Sequence, residues 1–131
     1  PRLAFARRSF AWSDDIHPLV QQRLSGVEGS AAVWRSRCDG ALFALISGHC
    51  VRGRVMFPAA AYLEMSRAAC QAVGDERQHL QRVFFLQPLT LSDRGADADT
   101  YVDCKLDQGN GHLEITSERL TAAAETTPHF A

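Results

Sequence analysis

Pro58-Ala-Ala-Ala-Tyr-Leu-Glu-Met-Ser-Arg-Ala-Ala-Cys-Gln-Ala-Val-Gly74 is the stretch that decides the architecture of this chain. Proline suits the first helical position, because its missing N–H would find no partner there. Ala59, Ala60, Ala61, Leu63, Glu64 and Met65 are strong helix formers, and no breaker follows before Gly74. Leu63, Ser66, Cys70 and Val73 recur at three- to four-residue spacing, flanked by Tyr62, Met65, Ala69 and Ala72. That wide apolar face predicts a helix largely surrounded by other elements. Gly74 is placed to end it in the left-handed conformation. With a rise of ~1.5 Å per residue, the helix reaches about 22–24 Å and crosses several strands of a sheet.

On both sides of the helix the pattern changes to that of strands. Ala31-Ala-Val-Trp-Arg-Ser-Arg-Cys38 alternates in part and reads as a strand with one polar face, closed by a turn at Asp39-Gly40. Leu42 to Ile46 is a short apolar run broken by Ser47-Gly48. After the helix, Val83 to Leu91 is apolar, with Pro88 demoting its middle to a bulge or an edge. Tyr101-Val-Asp-Cys-Lys-Leu106 and His112-Leu-Glu-Ile-Thr-Ser117 alternate cleanly, and Asp107-Gln-Gly-Asn-Gly111 between them is a hairpin loop. One long helix on an antiparallel sheet is an α+β arrangement. Residues 1–15 read as a leading edge strand or linker.

Composition narrows the function classes. A length of 131 residues suits one core. Fourteen basic against fifteen acidic residues, with no basic stripe, give no footprint for nucleic acid. The longest apolar run, Ala41 to Ile46, is far short of the ~20 residues of a membrane span. Arg2, Arg7 and Arg8 are not followed by the apolar stretch of a secretory signal. Cys38, Cys50, Cys70 and Cys104 lack CxxC spacing, which argues against structural zinc and a disulfide scaffold. Free, buried thiols in a reducing cytoplasm are expected instead.

Chemistry enters just ahead of the helix. His49-Cys-Val-Arg-Gly53-Arg-Val-Met-Phe-Pro58 has the form HxxxGxxxxP and runs straight into Ala59-Ala-Ala-Tyr-Leu-Glu-Met65. This resembles the active-site signature of the dehydratase domains of modular polyketide synthases and animal-type fatty acid synthases. His17-Pro-Leu19 resembles the opening of these domains, Val33-Trp34 and Leu45 to His49 the strand and approach to the site. Val83-Phe-Phe-Leu-Gln-Pro-Leu89 and Leu113 to Ser117 resemble later strands, so the likeness spans about residues 16–120. Two positions depart from the family pattern: Gly48 stands where a polar residue usually precedes the histidine, and Ala59 where glycine usually follows the proline.

The resemblance implies a hotdog fold, a long central helix wrapped by an antiparallel sheet, as the first half of a double hotdog. It divides the chain into a leading segment at 1–15, an N-terminal hotdog at 16–125 and the start of an inter-hotdog linker at 126–131. The implied reaction is loss of water from a β-hydroxyacyl thioester on an acyl carrier protein, giving the α,β-enoyl thioester. Such a lyase needs a base for a weakly acidic α-proton and an acid for a poor leaving group. Histidine is neutral and basic near pH 7, and His49 is the candidate base. A carboxylic acid in an apolar tunnel can stay protonated and donate. In the family it is an aspartate on the helix of the second hotdog, in a DxxxQ or DxxxH setting, and no second helix is present. Asp97, Asp99 and Asp103 lie in or before strands and do not substitute.

Gly53, Pro58, Ala59 and Tyr62 are the expected substrate-tunnel and oxyanion region: Gly53 for close approach, Pro58 for the turn, and the helix start for polarising the carbonyl. No metal and no bound cofactor is implied, since the substrate rides on the carrier's phosphopantetheine. Expected partners are that carrier, the second hotdog, neighbouring synthase domains and a second copy in a dimer. Two alternatives are an aldol cyclase of the product-template type and a non-catalytic structural hotdog.

Other polar residues have plainer readings. His17 precedes a proline and reads as structural, His79 and His112 as solvated surface, and His129 as part of the linker, with a lesser role in closing a pocket. Tyr62 reads as packing against the sheet before it reads as tunnel lining. Glu64 reads as bonding to nearby groups, and Arg52 and Arg54 as a solvated face, with the carrier's phosphate a less favoured partner.

Overall fold

The computed structural model describes residues 17–24, 29–75, 79–91, 100–119 and 125–130, the side chains of 125–127 and 130 excepted. In chain order the elements are β1 (Gln22–Arg23), β2 (Ala31–Arg37), α1 (Gly40–Ile46), β3 (Cys50–Val51), β4 (Arg54–Met56), α2 (Ala59–Ala72), β5 (Thr90–Leu91), β6 (Thr100–Asp107), β7 (Leu113–Arg119) and β8 (Glu125–Phe130). Two antiparallel sheets form, a five-stranded one in the order β1-β2-β6-β7-β8 and a three-stranded ribbon β3-β4-β5. The leading segment read at 1–15 lies outside the described residues.

Strict alternation builds the large sheet. Ala32, Trp34 and Ser36 of β2, Val102, Cys104 and Leu106 of β6, and Leu113, Ile115 and Ser117 of β7 turn inward and are buried. On the opposite face Arg35 pairs in register with Asp103, binding both its carboxylate oxygens at 2.8 and 2.7 Å and Glu118 at 3.1 Å. These are the cross-strand ion pairs that fix register on a half-exposed face. Asp107 closes the β6–β7 turn by accepting from Ser30 Oγ at 2.7 Å and from the Gly109 amide at 2.8 Å. Asn110-Gly111 is not a tight two-residue turn here: Gly111, at φ +77°, closes a longer loop by donating to the Asp107 carbonyl at 2.7 Å.

Helix α2 lies on the inner face of the large sheet, and its buried stripe is Ala61, Tyr62, Met65, Ser66, Ala68 and Ala69. The helix is less enclosed than its sequence suggests, since Leu63 is 40% exposed and points away from this stripe. Pro58 also sits one position earlier than expected. It is the N-cap, with extended backbone, and its carbonyl takes the Ala61 amide at 2.9 Å. The apolar run at 42–46 proves to be helical, as α1, burying Leu42 and Ile46. Its Leu-Phe-Ala-Leu-Ile pattern is too short for periodicity to separate helix from strand.

Between α2 and β6 the expected strand over 83–91 shrinks to Thr90–Leu91, because Pro88 has no amide for a ladder. Residues 125–130, of which 126–130 fall in the expected start of a linker, continue the large sheet as β8. A register shift opposite Ile115 and Thr116 leaves His129 as the extra residue of a bulge beside Pro128, where a proline costs no ladder bond.

Candidate active site

The β3–β4 hairpin carries the candidate histidine, and its turn is two residues long. Val51 pairs with Arg54, while Arg52 and Gly53 between them have φ of +53° and +77°. Two-residue turns of this hand match the twist of the strands but need a positive φ at both central positions. Gly53 meets that need without strain. A Cβ placed on it would find nothing within 4 Å among the described residues, so the turn alone, not a close approach, accounts for the glycine here.

The hairpin pins His49 from three directions. Its amide donates to Ile46 O at the end of α1 at 2.9 Å, and its carbonyl accepts from the Met56 amide at 3.0 Å. Its ring Nδ1 lies 2.8 Å from the Met56 carbonyl oxygen. A carbonyl can only accept, so Nδ1 carries a hydrogen there. The ring is exposed in this chain, two residues from the N-cap of α2 through its Met56 partner. An exposed imidazole with Nδ1 held by a carbonyl is oriented so that Nε2 can exchange a proton with a bound molecule.

At the helix start, Ala59 and Ala60 are exposed, and no acidic residue occupies the first turn to neutralise it. The first amides of a helix have no carbonyl a turn earlier, so this end carries partial positive charge. Tyr62 is buried, stacked on Phe57 with ring centroids 4.6 Å apart and tilted against Phe85 at 6.2 Å. Burial, with a smaller contribution from Cys38, pushes its phenol well above the ordinary range, so it stays protonated. The structure therefore joins His49, Gly53 and Pro58 on one hairpin-to-helix junction, with Tyr62 packed inside it.

The remaining candidates separate. Asp103 is taken up by Arg35 on the outer sheet face, and Asp97 and Asp99 lie outside the described residues. The sequence also holds a DxxxH spacing from Asp75 to His79, but it begins beyond the end of α2, and 76–78 are not described. His17 is structural: Nδ1 accepts the Leu19 amide at 3.1 Å, and Nε2 lies 4.0 Å from Glu64. Glu64 itself is held by Arg67 at 2.6 Å. Arg52 and Arg54 are exposed, and so is Cys50, contrary to the expectation of a buried thiol, because strand β3 is an edge of its ribbon. No group of three metal-ligating side chains occurs among the described residues.

His129 is the residue the sequence undersold. It is 3% exposed, with Nε2 at 2.5 Å from Ser117 Oγ and Nδ1 at 2.9 Å from the Gln87 carbonyl oxygen. The Thr126-Thr127 pair before Pro128 was the available strand signal.

An α+β unit with one long helix on an antiparallel sheet has the architecture of half a double hotdog. The chain belongs to the polyketide synthase dehydratase domain family, whose model matches residues 17–118. It is 29% identical over 117 residues to the polyketide synthase PksL of Bacillus subtilis (strain 168), an alignment covering 86% of this chain and 2% of that protein. The crystal structure of an inactive aspartate-to-asparagine mutant of CurK dehydratase superimposes with TM-score 0.64 at 26% identity, covering 88% of this chain and 42% of that one. A bifunctional dehydratase-cyclase domain of ambruticin biosynthesis shares the fold, with TM-score 0.65 and 23% identity over 87% of this chain and 41% of that one. The chain thus spans under half the length of these structural relatives. The family is one of lyase-type enzymes.

Proposed function

We propose that this chain supplies the base half of a dehydratase acting on β-hydroxyacyl thioesters carried by an acyl carrier protein. The observation that carries the reading is the His49 ring, whose Nδ1–H is tied to the Met56 carbonyl so that Nε2 faces outward as a base. Nε2 takes the α-proton, the α,β double bond forms, and the β-hydroxyl leaves as water with a proton from an acid. The thioester carbonyl is polarised by the start of α2 at Pro58 and Ala59, and Tyr62 backs the wall of the tunnel.

The acid is an aspartate outside these residues, in a second hotdog. CurK dehydratase, inactive with one aspartate changed to asparagine, supports the need for such a carboxyl. Exposed Leu45, Phe84, Phe85 and Leu86, each more than half accessible, give an apolar surface of the kind a second half would cover. The carrier's phosphopantetheine brings the substrate, no separate cofactor takes part, and the setting is a dimeric, cytoplasmic synthase with neighbouring domains. No helix among the described residues is long and apolar enough to cross a membrane.

The test is turnover of a β-hydroxyacyl thioester by the full-length protein. His49→Ala is expected to lower kcat by roughly 10²–10⁴-fold, the usual worth of a positioned base. Undiminished turnover in that variant overturns the reading. The 131 residues alone are expected not to turn over.

A further inference from the structure

Segment 83–89 is irregular in backbone, yet it is fastened at its middle and at its C-terminal end. In the middle the Leu86 amide donates to the His129 carbonyl at 3.2 Å, and His129 Nδ1 lies 2.9 Å from the Gln87 carbonyl. Since a carbonyl only accepts, Nδ1 carries the hydrogen, and Nε2 accepts from the Ser117 hydroxyl at 2.5 Å. One buried imidazole therefore joins β7, the β8 bulge and this segment. At the C-terminal end the Phe57 amide donates to the Leu89 carbonyl at 2.9 Å, and Thr90 pairs with Met56. Just before Leu86, the Phe85 ring meets Tyr62, which stacks on Phe57. Met56, gripped by these contacts, is the residue whose carbonyl orients the His49 ring.

We propose that His129 is a positioning residue for the dehydration, acting through segment 83–89 and Phe57 to hold the Met56 carbonyl against His49. The inference rests on the reading of His49 as base. The contacts that pin His49 sit on a hairpin of two- and three-residue strands, which needs support from outside to hold a side chain within the tolerance of proton transfer. The clamp supplies that support from the large sheet.

The experiment compares His129→Leu, His129→Gln and Ser117→Ala in the full-length protein. His129→Leu is expected to lower kcat about 10-fold with KM within about twofold, as misplacement of a reacting group does. His129→Gln, whose amide can donate to Gln87 and accept from Ser117, should restore most of kcat. Ser117→Ala, which leaves the Gln87 bond intact, should fold normally and show a smaller fall in kcat, again with KM little changed. A fall in kcat with no rescue by glutamine, or one matched by an equal loss of folded protein, overturns the proposal.

Amide exchange provides a readout that needs no turnover. In His129→Leu the amides of Leu86, Phe57 and Met56 should exchange faster while those of Cys104 and Ile115 do not. Acceleration confined to Leu86 overturns the coupling to His49. Should His49→Ala retain activity while all three amides respond, the clamp stands and the assignment of the base fails.

Discussion

Arg52 shows how a single backbone angle can be traded for geometry. It holds φ +53° without being glycine, a conformation that costs a side-chain-bearing residue roughly 1–2 kcal/mol. The hairpin keeps it because the Arg52-Gly53 turn sets the length of the loop that presents His49. Replacing Arg52 by asparagine, which tolerates this region, should raise the midpoint of thermal unfolding, whereas Gly53→Ala should lower stability by about 1–2 kcal/mol. Since a Cβ at position 53 meets no neighbour among the described residues, a loss from Gly53→Ala measures backbone strain. The histidine and glycine of the candidate site were singled out in the sequence because their spacing resembles a signature. The reason for the glycine was not legible, since φ leaves no mark distinct from close approach.

Among the elements, α2 was the easiest to read and still the one whose orientation surprised. Its limits are set by local chemistry, the proline before it and Gly74 at φ +79° after it, and both stand in the sequence. Which face it buries is set by the sheet, and a helix apolar on most of its circumference does not declare that. Met65, fully buried, should cost roughly 2–5 kcal/mol on truncation to alanine, while Leu63→Ala should stay within about 0.5 kcal/mol in this chain. Urea unfolding of the two variants decides which stripe faces the core. The long strands β6 and β7 were likewise legible from period-two alternation. Strand β8 was hidden because its proline and its bulge break that period, and α1 because seven residues hold too little of one.

For the molecule as a whole, acid is the revealing variable. Burial holds His129 below its ordinary 6.5, the Gln87 carbonyl pulling weakly the other way. The unfolded chain therefore binds a proton more readily than the folded one. Stability is complete above about pH 6.5 and is lost as pH falls through the lower folded value. Glu64, lowered chiefly by its bond to Arg67, and Asp107, lowered chiefly by Ser30, keep their contributions until pH falls past their ordinary 4.5 and 3.8. Urea midpoints at about pH 7.5 and about pH 5.5 should thus differ for the wild type and coincide for His129→Gln. Equal midpoints for the wild type would show that His129 does not govern this step.

The two sheets also differ in what it takes to part them. β2, β6 and β7 run for seven or eight residues, whereas every strand of the ribbon that holds His49 has two or three. Cooperative units of such unequal size melt at unequal cost, and the smaller breathes while the larger stays shut. On warming, the proposed base His49 would lose its aim before the central helix begins to unwind, and the proposed activity of the full-length protein would fade while circular dichroism still records a native fold.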